Sequence, residues 1–318
     1  MPPVYDVLTM GRSSIDLYAH QIGVPMTEVT SFDAYVGGCP TNISVGTRRL
    51  GLRSVLLTAV GDDEPGDFLL HFLAREGVEI SFVPRKPGRR TSAVIMSIRP
   101  PDRFPLTFYR EGCADRELTC EDVRRAPVAD CAMLVVTGTG LSHNPSREAT
   151  LFAADRARAS GVEVLLDIDY RPDQWPSRAE YSGWVLQLLA RASLAVGTEE
   201  EVMAAADDDD IESAVGCVLA SGPRALVLKR GGKGASIYTH GETRRDIAPF
   251  PITVLNVLGA GDAFASGFIC GMRQGLPLDR AVRMGNAVGA IVVTRHGCAN
   301  FMPTMPEVEE FVHARGGW

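Results

Sequence analysis

The sequence predicts an α/β fold, a mostly parallel sheet covered by helices on both faces, with a small β-rich appendage. Three observations point there. Short apolar runs at 4–10, 133–136, 164–167, 194–196 and 225–229 alternate with helix-like segments of ordinary length, which is how a sheet buried on both faces is written. The stretch 93–109 is strand-rich and broken at Pro100, Pro101 and Pro105, leaving no room for a long helix. The length of 318 residues suits one large α/β domain carrying such an appendage, read here as a single domain over 1–318.

The elements follow in order. The run VYDVLTM at 4–10 is a buried strand ended by Gly11 and the polar Arg12-Ser13-Ser14. Pro40 opens a segment that reads as a helix over 42–50, stopped by Gly51; 54–59 is a strand, and a helix over 68–76 is stopped by Gly77. In the second half, Ile211, Val215, Val218 and Leu219 form a core-facing helical stripe, and the acids Asp207 to Asp210 in front of it read as a solvated first turn favoured by the helix dipole.

Composition narrows the function. With 45% hydrophobic and 22% charged residues the chain is an ordinary folded protein. A net charge of −7 supplies no basic field for nucleic acid or anionic lipid, so an anionic ligand needs a local site. The longest apolar run, 287–293, is far short of the roughly 18 residues of a membrane span. Met1-Pro2-Pro3 leads straight into a strand without a secretory signal, and a cytoplasmic protein is expected. Seven scattered cysteines, without CxxC, read as reduced thiols rather than a disulfide framework or zinc site.

Three segments carry chemistry. In Asn256-Val257-Leu258-Gly259-Ala260-Gly261-Asp262, followed by a helix-like run to Gln274, small residues let backbone N–H groups converge at a helix N-terminus and form an anion hole. Asp262 falls in the first turn, where a carboxylate can accept a hydroxyl proton as phosphate is transferred; taken alone, the pattern equally describes a glycine-rich helix start with a dipole-stabilised Asp. Gly37-Gly38-Cys39-Pro40-Thr41-Asn42 lets a ligand approach the backbone and offers the Asn42 amide to vicinal hydroxyls, though a plain turn would look the same. Lys229-Arg230-Gly231-Gly232-Lys233-Gly234 runs from a strand end into glycines, a natural place for nucleotide phosphates. The Walker pattern GxxxxGK[ST] is absent, and Gly138-Thr139-Gly140 lacks the third glycine of a dinucleotide fingerprint, His143 standing in its place, which weakens the P-loop and the dinucleotide-fold readings.

Together these segments resemble the ribokinase-like (PfkB-type) carbohydrate kinases over essentially the whole chain, with both family signatures in order: 37–44 through Gly51 to Gly61, and Gly259-Ala260-Gly261-Asp262 with its helix. The resemblance implies a ribokinase-like Rossmann-type sandwich with a lid from about 13–36 and 91–110. It implies Asp262 as catalytic base, with Gly259, Ala260 and Gly261 as the anion hole. Asp16, Gly37, Gly38 and Asn42 would bind the sugar. Thr198, Glu201, Lys229, Gly231, Gly234 and Asn286 would lie on the ATP side, with Glu201 tied to Mg2+. Thr198 stands where the family's NxxE motif has Asn, which leaves part of the metal network open, and Asn256 and Leu258 replace an Asp and a Thr at a monovalent-cation site, which leaves potassium activation open. Relatives often pair through the lid, so a homodimer is possible.

Further segments, at 16–18, 21–25, 104–111, 167–172, 295–298 and 302–304, are similar to the branch of the family that phosphorylates a keto-deoxy sugar acid at its terminal hydroxyl. A sugar acid brings a carboxylate, and Arg110 and Arg171 are the candidate forks for it, with an ion pair to Asp167 or Asp169 as the competing reading of Arg171. An isomeric keto-deoxy acid, a neutral fructose or ribose, and a catalytically idle sugar or nucleotide binder are the alternatives.

Overall fold

A computed structural model describes residues 3–98 and 105–318. Met1, Pro2, the breaks expected at Pro100 and Pro101, and Phe104 lie outside the described residues. The strands are β1 (Tyr5–Met10), β2 (Ser14–Ile22), β3 (Phe32–Gly37), β4 (Ser54–Leu57), β5 (Val60–Gly61), β6 (Arg85–Lys86), β7 (Ser92–Ile98), β8 (Leu106–Tyr109), β9 (Cys131–Thr137), β10 (Glu163–Asp167), β11 (Leu194–Thr198), β12 (Ala225–Lys229), β13 (Ala235–Thr239) and β14 (Arg245–Ile247). The helices are α1 (Cys39–Arg49), α2 (Glu64–Arg75), α3 (Cys120–Arg125), α4 (Ser146–Ala159), α5 (Arg178–Leu189), α6 (Glu199–Ala206), α7 (Ile211–Ser221), α8 (Ala260–Arg273), α9 (Leu278–Val292) and α10 (Met305–His313).

Eight strands form the main sheet in the order β14-β13-β12-β11-β10-β9-β1-β4. Every pair from β12 to β4 is parallel, while β12-β13-β14 is an antiparallel edge that the sequence pattern did not reveal. Side-chain alternation explains the two covered faces. Leu8, Leu134, Leu166 and Leu226 pack with α4, α5, α6 and α7 on one face, and Val7, Val135, Leu165 and Val227 pack with α1, α8 and α9 on the other. A separate four-stranded sheet, β3-β2-β7-β8, lies outside this sandwich. All seven cysteines are free.

The acidic run 207–210 is more than a solvated turn. Asp207 takes a left-handed φ of +52° and closes α6, Asp210 accepts the Ser213 N–H at 2.8 Å and opens α7, and Arg178 pairs with both Asp207 and Asp209. Four acids in series therefore end one helix and start the next. Among the described residues no helix is long and apolar enough to cross a membrane.

Candidate active site

In an open parallel sheet, ligands meet the carboxyl ends of the strands, and these ends gather the polar groups here. β1 runs into Gly11 and Arg12, β9 into Thr139, and β10, β11 and β12 finish on Asp167, Thr198 and Lys229. Facing them is the N-terminus of α8, where Gly259, at φ +74°, turns the chain so that the amides of Gly261 and Asp262 are free of intrahelical partners, while the Ala260 N–H donates to the Val257 carbonyl at 3.3 Å.

Asp262 is the meeting point. Its Oδ2 accepts a hydrogen bond from Asn42 Nδ2 at 2.6 Å, bringing the two sequence signatures into direct contact across 220 residues. Asn42 Oδ1 is buried without a partner, so the amide is oriented by Asp262 and keeps an acceptor for a ligand. Burial, and then the nearby charge of Asp169, push the Asp262 carboxyl above its ordinary value, while the Asn42 bond pulls the other way.

Cys39, Asp167 and Asp262 place one ligand atom each within 4.8 Å of one another. The thiol is a poor donor for a hard cation, but the carboxylates suit one: Asp167 is 2% exposed and its Oδ2 has no hydrogen-bond partner. Lys229 Nζ lies 3.3 Å from Asp167 Oδ1 and 3.7 Å from Glu201 Oε2. The same ammonium sits 3.2 Å from where a Cβ on Gly261 would be, directly beneath the first turn of α8. Asp167, which sequence reasoning did not place in the site, is pushed up by burial and by Glu201, Asp169 and Asp262 against the pull of Lys229.

Thr198 and Glu201 form the capping box of α6: Glu201 Oε2 accepts the Thr198 N–H at 2.7 Å, and Thr198 Oγ1 accepts the Glu201 N–H. Thr198 thus serves as a helix cap where the family motif carries Asn. Glu201 Oε1 makes no hydrogen bond among the described residues.

On the other side of Asp262 lies Asp16, 6% exposed on β2, whose Oδ1 accepts Ser14 Oγ–H at 2.6 Å. Burial raises its pKa to about 6, with Arg12 pulling down and Asp262 pushing up. The diglycine has a steric reason. A Cβ on Gly37 would lie 2.0 Å from Asp16 Oδ2, and one on Gly38, which sits at φ +103°, would lie 2.3 Å from the Arg12 carbonyl oxygen.

The two candidate arginines are placed differently. Arg110 is 3% exposed and engaged inside the protein: Nε donates to Asp115 at 2.7 Å, and NH1 to Thr139 O, Ser142 Oγ and Gln174 Oε1. Arg171 borders the cleft, its side chain 43% exposed and its Nε donating to Asp169 Oδ1 at 3.0 Å. Asp169, at φ +38°, also accepts Thr139 Oγ1–H; against the push of burial, Arg171 and Arg12 hold it below its ordinary value.

A cavity of about 270 Å³ adjoins Ala260 and Gly261 and is lined by Thr198, Lys229, Gly231, Gly234 and Asn286 together with the apolar Phe250, Ile252, Val257 and Phe264. A lining that combines Thr198, Lys229 and glycine backbone with apolar side chains suits a phosphate-bearing aromatic ligand. The Asn286 amide is occupied, donating to the carbonyls of Ile247 and Ala248, so it shapes the wall. Asn256 is 1% exposed; its Oδ1 accepts the Leu258 N–H and its Nδ2 has no partner.

The fold is a ribokinase-type α/β sandwich whose class is that of phosphotransferases acting on sugars, and at its strand ends a carboxylate at the start of α8 adjoins a cavity of mixed polar and apolar lining. Residues 5–305 match the model of the pfkB family carbohydrate kinases, and the chain belongs to that family. Two curated relatives named 5-dehydro-2-deoxygluconokinase are similar to it. One from Shouchella clausii is 36% identical over 97% of this chain and 95% of its own, and one from Geobacillus thermodenitrificans is 34% identical over 96% and 93%. Among solved structures, a putative Ribokinase II from E. coli matches with a TM-score of 0.90 at 25% identity, covering 98% of this chain and 100% of that one. The complex of a putative Ribokinase II from E. coli with ATP and Mg2+ matches at 0.88, also at 25% identity and with the same coverage. The chain is a carbohydrate kinase that transfers phosphate to a sugar hydroxyl.

Proposed function

We propose that this kinase transfers the γ-phosphoryl of ATP to the terminal hydroxyl of 5-dehydro-2-deoxy-D-gluconate, the keto-deoxy acid of myo-inositol catabolism. The observation that carries the reading is the contact of Asn42 with Asp262 at the mouth of the α8 anion hole, with Asp16 on one side and the glycine-lined cavity on the other. The substrate choice is supported by the names of relatives 32–36% identical over nearly the whole chain.

In this reading Asp16 and Asn42 hold the sugar hydroxyls and aim the terminal one at Asp262. As its oxygen closes on phosphorus, Asp262 takes the proton, the bond to the β–γ bridging oxygen breaks and ADP leaves, and the unoccupied amides of the Gly259–Asp262 turn hold the charge that develops on the transferred group. Lys229, beneath Gly261, adds a fixed positive charge at the same place. Positioning of two reactants and electrostatics supply most of the rate. Asp167 and Glu201 would hold Mg2+, which neutralises phosphate charge when bound with ATP. The small sheet β3-β2-β7-β8 acts as the lid over the sugar.

Mapping the product tests this. After reaction with Mg-ATP, phosphorus-31 NMR is expected to show one phosphomonoester whose phosphorus couples to the terminal methylene protons of the acid. A phosphate on an internal carbon, or none, would overturn the assigned orientation.

A further inference from the structure

The buried Arg110 is matched by Asp115. Arg12, half-buried at the carboxyl end of β1, has no such carboxylate partner among the described residues. Its NH1 donates to Ser14 Oγ at 2.9 Å, its Nε is buried without any hydrogen-bond partner, and among the described residues it forms no ion pair. A buried N–H without an acceptor costs free energy unless a ligand brings one.

Its position is fixed. The Arg12 carbonyl packs against the Cβ-less Gly38, and the guanidinium stacks on Phe108 of the small sheet, 5.2 Å from the ring centre. Ser14 joins Arg12 to Asp16, accepting from one and donating to the other. The charge on Arg12 is felt by both Asp16 and Asp169, and Asp16 in turn feels Asp262. A substrate held at Asp16 therefore lies beside this guanidinium, which Ser14 joins to Asp16 and whose NH2 makes no hydrogen bond among the described residues, while Arg110 is engaged with Asp115 and Arg171 with Asp169.

We infer that Arg12 binds the substrate's carboxylate and sets the preference for a sugar acid over a neutral sugar. The inference rests on the sugar-acid reading above. A guanidinium fork presents parallel N–H donors that match a carboxylate, and a neutral sugar leaves that half-buried donor set unmatched, which is how a polar site rejects the wrong substrate. Phe108 and the lid strand that carries it shield the pair from water.

The test compares kcat/KM for 5-dehydro-2-deoxygluconate with that for its neutral analogue bearing a primary alcohol in place of the carboxylate. The wild-type enzyme prefers the acid, and in Arg12→Met the acid-to-neutral ratio falls by roughly 10- to 100-fold, chiefly through KM for the acid. Arg12→Lys, which keeps the charge but loses the fork, falls between the two. ADP binding reports that Arg12→Met is folded; should it not fold, the ratio is read from Arg12→Lys, which is expected to lose at least about fivefold. A wild-type preference that survives in the folded variant to within about threefold overturns the role of Arg12 and leaves the sugar-acid reading intact. A wild-type enzyme indifferent to the carboxylate overturns that reading, and the role of Arg12 with it.

Discussion

Asp262→Asn is expected to lower kcat by roughly 10²- to 10⁴-fold, the range for losing a positioned general base, while ADP and sugar still bind. The substitution is isosteric, and a turned amide still presents an oxygen to Asn42 Nδ2, so the 2.6 Å contact and the start of α8 are kept. What is lost is the ability to take a proton. The pH profile gives a second reading of the same group. Because burial raises the Asp262 carboxyl in the free enzyme, its protonation adds an acid limb to the wild-type kcat/KM profile at a higher pH than an ordinary aspartate would, and the variant lacks that contribution. Steady-state kinetics with equilibrium ADP binding checks both. A variant within tenfold of wild type, with its acid limb unchanged, would remove Asp262 from the role of base.

Asp16→Asn is expected to do two opposite things. Charged acceptors hold hydroxyls more strongly than amides, so losing two such bonds lowers kcat/KM by about 10²-fold, mainly through KM for the sugar. At the same time the ligand-free protein becomes more stable at pH 7 to 8. The sign follows from the raised value: a carboxyl whose pKa goes from 3.8 to about 6 on folding binds its proton more tightly in the folded state. Its contribution is fully present below pH 4 and is lost as pH rises through about 6. The Asn variant resembles the protonated form and keeps that contribution, of the order of 3 kcal/mol, or roughly 6 °C in Tm. Thermal melts of both proteins at pH 5 and pH 8 check it: the gap opens at pH 8 and narrows at pH 5. A variant less stable than wild type at pH 8 would contradict the account of Asp16 as a group held against its solvation preference for the sake of the sugar.

What could be read from residues alone, and what could not, divides by how the site is built. The glycine segments at 37–38 and 259–261 are contiguous, and their chemistry is in the backbone, so they are legible as strings. Asp262 inherits its meaning from the turn it follows. Arg12 and Asp167 are single side chains at strand ends, and only the parallel order of β1, β9, β10 and β12 brings them to one edge. The rule that ligands meet the carboxyl ends of parallel strands was the signal that could have found them. Arg110 shows the converse. Its segment resembles a substrate-binding one, yet a turn five residues long brings Asp115 back onto its Nε at 2.7 Å and buries both. No periodicity announces such a return. The hairpin β13-β14 escaped because its strands are short and run out of the parallel pattern around them. Thr198 and Glu201 carry two messages in one spacing, since T-x-x-E caps a helix whether or not it also faces a metal.

The most direct measurement is ADP release from the purified protein with Mg-ATP and matched concentrations of 5-dehydro-2-deoxygluconate, 2-keto-3-deoxygluconate, fructose and ribose. The account predicts the highest kcat/KM for 5-dehydro-2-deoxygluconate, with the two neutral sugars well below both acids. Faster turnover of fructose or ribose than of either acid would contradict it.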